Sequence, residues 1–178
     1  MRKLIAIDPG HGGRDPGAVG IVSESALTYP WAHAFRARLR QHGHFAELTH
    51  TEPEPGKKVS LSTRVLRARE MGAGLYVSVH ANASESHRGT GAEIHVHHGW
   101  GTAFDLATVL LPPLTEGIGK HGAGIVLSPK LYVLRMTPCP ALLLEIGYVD
   151  HPADATWLAA NYLDQVIAVA DKLAGAQQ

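Results

Sequence analysis

A chain of 178 residues that is 45% hydrophobic can bury one core without metal or disulfide staples, and it implies no second module. Sixteen Lys and Arg against sixteen Asp and Glu give no charge footprint for nucleic acid or an anionic membrane. The single Cys139 excludes a disulfide within the chain, and it reads as a small buried side chain before an apolar strand.

In chain order, Lys3 to Asp8 read as strand one, followed by a Gly-rich loop from Pro9 to Gly20. The N-terminal apolar run is far shorter than the h-region of a signal peptide, and nowhere do about 18 apolar residues run together as a membrane span needs. The chain is therefore expected to be made in the cytoplasm without a signal peptide. A helix is predicted to start near Pro30, which suits a first turn, with Trp31, Phe35 and Leu39 inward and Gly43 as its stop. His44 to Thr49 should be strand two and Thr51 to Lys58 a Pro-rich turn. Ser60 can cap a second helix with Leu61, Val65 and Ala68 inward and its Arg residues outward.

Leu75 to Val79 read as strand three, and Ala92 to His97 as a half-exposed or edge strand four. A helix from Ala103 to Leu110 should break at Pro112 and Pro113. Tyr132 to Leu134 and Ala141 to Glu145 supply two more strands, and Pro152 to Leu173 has helical spacing through Leu158, Tyr162, Val166 and Val169. The alternation of strand and helix predicts an α/β fold: a single domain over residues 1–178, with a mainly parallel twisted sheet of about six strands and helices on both faces.

His11, His80 and Glu145 each follow an apolar run that reads as a buried strand, so the carboxyl ends of a parallel sheet would gather them at one rim. Two imidazoles with carboxylates are the donors of a hydrolytic zinc site with an open position. The loop around His11 lacks the spacing of a P-loop or a dinucleotide fold. Glu24 alone would be an ordinary polar residue before a helix. Glu145 lies among Leu142, Leu143, Leu144 and Ile146, where an ionisable group needs a reason. Two other sets compete. His95 and His97 share a strand face but read as a solvated edge, and His44 with Glu47 has a carboxypeptidase-like spacing without an obvious third ligand.

Four blocks, IDPGHGG with a Glu thirteen residues after its His, then SVHAN, then LLLEIGYVDHPAD, resemble the N-acetylmuramoyl-L-alanine amidase family of zinc enzymes, found in bacterial autolysins and phage endolysins. The likeness runs from Lys3 to about Leu173. It implies one zinc ion bound by His11, Glu24 and His80, with Glu145 as the catalytic carboxylate. It further implies hydrolysis of the amide between N-acetylmuramic acid and L-alanine of the peptidoglycan stem peptide. His151 departs from the family, where many relatives carry Asn after the turn that follows the catalytic Glu. The resemblance points to a single catalytic amidase domain without a separate wall-binding domain, expected to be a monomer that acts on the wall after release, as an endolysin does. A zinc peptidase of carboxypeptidase type and a catalytically inactive wall-binding module are the alternatives.

Overall fold

A computed structural model describes residues 4–51 and 57–176. Lys3, most of the expected Pro-rich turn, and Gln177 and Gln178 lie outside the described residues. Six strands form one sheet in the order β2-β1-β3-β6-β4-β5: β1 (Leu4–Pro9), β2 (Ala46–Leu48), β3 (Ala73–Asn82), β4 (Ala92–Val96), β5 (Lys120–Leu127) and β6 (Ala141–Tyr148). All pairings are parallel except β4 with β6, so the mainly parallel α/β sheet expected from the sequence is the fold.

Helices cover both faces because both faces of the inner strands are apolar. On one side α1 (Glu24–Gln41), α3 (Thr102–Thr115) and α5 (Pro152–Ala176) enclose the larger core, with Trp31, Phe35, Val77, Val79, Leu142, Leu144 and Leu158 fully buried. The short helices α2 (Leu61–Glu70) and α4 (Tyr132–Met136) cover a smaller cluster around Ala6, Tyr76, Val133 and Leu143 on the other. Among the described residues, no helix is long and apolar enough to cross a membrane.

The structure corrects the predicted elements in four places. Helix α1 starts at Glu24, a turn and a half before Pro30, which lies inside it. The early start is possible because the preceding loop folds back: the amides of Glu24 and Ser25 donate to the carbonyls of Ala18 and Pro16 at 2.9 and 3.0 Å. Those contacts satisfy helix donors that would otherwise be orphaned. Helix α3 continues through Pro112 and Pro113 to Thr115. Burial of Leu106, Leu110 and Leu114, about 1.5–3 kcal/mol each, offsets an interior proline's cost of about 3 kcal/mol, and Thr115 Oγ1 donates to the carbonyls of Leu111 and Pro112. Tyr132 to Leu134 is the helix α4 rather than a strand. Strand β5 was not predicted, because its KHGAG start reads as a loop; it covers the outer side of β4, which is therefore not an edge.

Helix α2 brings a further correction. Ser60 accepts from the Thr63 amide as the expected cap, and Val65 and Ala68 are buried. Leu61, however, is 51% exposed, while Arg64 points inward and is 3% exposed.

Candidate metal centre

Three elements deliver the donors. The loop leaving β1 carries His11, the first turn of α1 carries Glu24, and the end of β3 carries His80. One ligand atom from each lies within 4.8 Å of the others, and among the described residues this is the one His, Cys, Asp or Glu group able to hold a metal. Glu24 sits between the imidazoles, with Oε2 3.0 Å from His11 Nε2 and Oε1 2.7 Å from His80 Nδ1. The rings meet edge to face at 5.1 Å.

Neither the loop nor the helix start tolerates extra bulk at the donors. A Cβ on Gly10 would lie 2.8 Å from the His80 ring, and one on Gly17 would lie 2.5 Å from Glu24 Oε2 at a positive φ of 71°. Gly17 thus allows the backbone to pass the carboxylate in a conformation other residues rarely adopt.

Charge is distributed as a divalent cation requires. Burial alone would raise the Glu24 pKa, yet the imidazoles of His11 and His80 hold it far below the ordinary carboxylate range, so the carboxylate is charged. Burial alone would lower the pKa of His11, but Glu24 and Asp15 raise it above the ordinary value. Asp15 Oδ1 stands 3.2 Å from His11 Nδ1, behind the ring, while Lys58 lies 2.7 Å from Asp15 Oδ2. The contact is an ion-pair distance without hydrogen-bond geometry, so Asp15 acts on His11 through its charge.

Glu145 occupies the middle of β6, directly beside His80 in the ladder. Its Oε2 is buried and has no hydrogen-bond partner within the described protein. Burial, then Glu24, then Glu93 push its carboxyl well above the ordinary range. Glu145 as a whole is half-buried, and the cost falls on that one enclosed oxygen, an environment that perturbed functional carboxyls share.

Glu93 is the residue that sequence reasoning missed. It pairs with Glu145 across β4 and β6, so His80, Glu145 and Glu93 form one row across three strands. Asn82 Nδ2 donates to Glu93 Oε1 at 3.1 Å, His95 Nε2 lies 3.2 Å from the same oxygen, and His95 Nδ1 lies 2.7 Å from Ser128 Oγ. The signal was available only as strand register, since nothing in the sequence pairs β4 with β6. His95 is accordingly no solvated edge residue: its side chain is 17% exposed and tied to the active row.

The competing residues are occupied elsewhere. Glu47 pairs with Arg36 and Arg40 on the surface, with no metal-ligand group around His44. His151 Nδ1 faces Asp154 Oδ1 at 3.1 Å at the start of α5.

The chain is similar to known proteins in sequence and in fold. A family model described as N-acetylmuramoyl-L-alanine amidase matches residues 5–174. The amidase LytC of Bacillus subtilis is 30% identical over 167 residues, 92% of this chain and 33% of that protein. The probable cell wall amidase LytH of Staphylococcus aureus is 31% identical over 175 residues, 93% of this chain and 54% of its own. The chain thus spans between a third and about half of the length of these curated relatives. Among solved structures, AmiC2 of Nostoc punctiforme superposes with a TM-score of 0.85 at 31% identity, covering 99% of this chain and 98% of that one. The catalytic domain of CwlV from Bacillus (Paenibacillus) polymyxa has the same TM-score at 28% identity, covering 98% and 97%. With its family match across nearly the whole described fold, the chain belongs to the N-acetylmuramoyl-L-alanine amidase family.

Proposed function

We propose that the chain is the catalytic domain of a zinc-dependent amidase that hydrolyses the bond between N-acetylmuramic acid and the stem peptide's L-alanine. The observation that carries this reading is the convergence of His11, Glu24 and His80 on one point, with the half-buried Glu145, one of whose oxygens is enclosed and unpaired, beside them. Two imidazoles and one carboxylate suit zinc and leave a coordination position open. A zinc ion held there supplies a Lewis acid that polarises the scissile carbonyl and makes water acidic enough to attack.

The chain's own groups do the rest. Asp15 stands on the Nδ1 side of His11, which leaves Nε2, the nitrogen that faces Glu24, for the metal. Glu145 takes one proton from the attacking water, whose oxygen joins the carbonyl carbon, and gives that proton to the departing nitrogen as the carbon–nitrogen bond breaks. The products are a lactyl carboxylate on the sugar and a stem peptide with a free L-alanine amine. The relatives' descriptions, an N-acetylmuramoyl-L-alanine amidase for LytC and a probable cell wall amidase for LytH, support action on cell walls.

The test is digestion of purified sacculi followed by end-group analysis. New L-alanine N-termini on otherwise intact stem peptides are expected. New termini within the stem, with the L-alanine still bound to muramic acid, would assign a peptidase, and no cleavage at all by zinc-loaded protein would assign an inactive module.

Glu93 sets a second expected result. Its charge is one of the influences that hold the Glu145 carboxyl high, so Glu93→Gln should lower that pKa. A general base must be deprotonated, and the acidic limb of the rate profile should then move to lower pH. Measurement of kcat/KM against pH checks this; an unmoved limb would separate Glu93 from the proton chemistry.

A further inference from the structure

We propose that Arg64 is a positioning residue for the metal centre, clamping the main-chain carbonyl of His11 from beneath the sheet and so fixing where its imidazole points. The inference rests on the reading of His11 as a zinc ligand.

His11 is one of two non-glycine residues with positive φ among those described, at 61°. A side chain with a Cβ adopts that conformation only when its surroundings hold it there. Gly12 and Gly13 continue in positive φ, and a short bridge in which the amides and carbonyls of Gly12 and Asp15 pair closes the turn after His11. The His11 carbonyl itself is held from outside that turn. Arg64 Nη2 donates to the His11 carbonyl at 2.9 Å, and Nη1 donates to the carbonyl of Pro9 and to Asp8 Oδ1, the latter at 3.0 Å. One guanidinium therefore bridges two carbonyls on either side of Gly10. From the opposite face, Tyr29 Oη in α1 donates to the same His11 carbonyl at 3.2 Å.

The base of the clamp is fixed in turn. Asp8 pairs with Ser78 in the ladder, two residues before His80 on β3, and is fully buried. It accepts from Thr49 Oγ1 at 2.6 Å and from Ser78 Oγ at 2.8 Å. The Asp8–Arg64 pair would neutralise both charges by itself; the second amino group is spent on the loop, not on the core. Orientation of the carbonyl fixes the torsion that follows the His11 Cα. With the loop held at Pro9 as well, the imidazole has one approach to Glu24. A lysine ammonium could keep the charge opposite Asp8 but could not span the same set of acceptors.

Zinc affinity is the direct readout, measured by competition with a chromophoric chelator on the metal-free protein. Arg64→Lys keeps the buried charge and is expected to weaken zinc binding roughly 10- to 100-fold, the usual cost of losing a group that orients a ligand. Tyr29→Phe removes the other donor to the same carbonyl without touching Asp8, and serves if Arg64→Lys does not fold. It should weaken binding in the same direction by a smaller factor. Cobalt substituted for zinc should show altered d–d bands in both variants. A merely structural role would lower the melting temperature of metal-free and zinc-loaded protein together and leave the affinity and the cobalt spectrum as in the wild type. Folded variants that bind zinc within twofold of the wild type overturn the clamp. A wild-type protein that binds no zinc overturns instead the metal reading on which it rests.

Discussion

His11→Ala and His80→Ala are each expected to strip the protein of zinc and, with it, of amide hydrolysis. Each removes one of three donors that the fold brings within 4.8 Å. The loss of affinity should exceed the roughly 10- to 100-fold that follows removal of a supporting residue. Metal content after dialysis and cleavage of a muramoyl-peptide measure the two effects. Chelator should abolish the wild-type activity and zinc restore it; full activity in metal-free protein would sink the zinc reading. Acid should act in the same direction as the substitutions. The His11 pKa is raised in the metal-free protein, so zinc must displace a proton there, and affinity falls as pH drops below that raised value. Glu24 is held far below the ordinary range and stays charged throughout, so the fall should approach about tenfold per pH unit for each His proton displaced. A zinc affinity independent of pH through this range would remove His11 from the ligand set.

Glu145→Gln should leave zinc and fold intact while reducing hydrolysis by roughly 10²- to 10⁴-fold, the contribution typical of a general acid–base group. Glutamine is nearly isosteric with glutamic acid, and in the metal-free protein burial, Glu24 and Glu93 hold the Glu145 carboxyl toward its neutral form. The substitution removes proton transfer without placing a new shape at the rim. Stability should hold or rise, because an ionisable group with an unsatisfied buried oxygen is replaced by a neutral amide. Glu24→Gln gives the contrasting result. It takes the charge from between two imidazoles and should lose zinc as well as rate. Metal analysis of both variants distinguishes them, and a Glu145→Gln protein without zinc beside a Glu24→Gln protein that keeps it would exchange their roles. His95→Ala should keep zinc, since His95 lies outside the ligand group. It should nevertheless disturb the rate, since it frees one of the contacts on Glu93 beside Glu145.

Much of the fold was local information. Strands β1, β3 and β6 and helix α5 were legible because runs such as LIAI, LYVSV and ALLL, and the spacing of Leu158, Val166 and Val169, state their burial pattern directly. His11 and His80 were legible for the same reason: a polar residue at the end of an apolar run is placed at a rim by the strand that carries it. Glu24 was legible only through its spacing from His11 within a recognised motif, since its donor role depends on loop carbonyls that start α1 early. Everything that depended on register or on a distant partner stayed hidden. Glu93 becomes a neighbour of Glu145 only because β4 runs antiparallel beside β6, and β5 forms only because β4 offers it an edge. Arg64 looked like a surface residue of a polar helix, yet it is buried by Asp8, 56 residues earlier, and by the carbonyl of His11. Local sequence determines which segments are strands and helices and which donors reach a rim, because burial patterns repeat within a few residues. Which charged groups face each other across that rim is decided by tertiary pairing, because Coulombic and hydrogen-bond partners are chosen by distance in space and not along the chain.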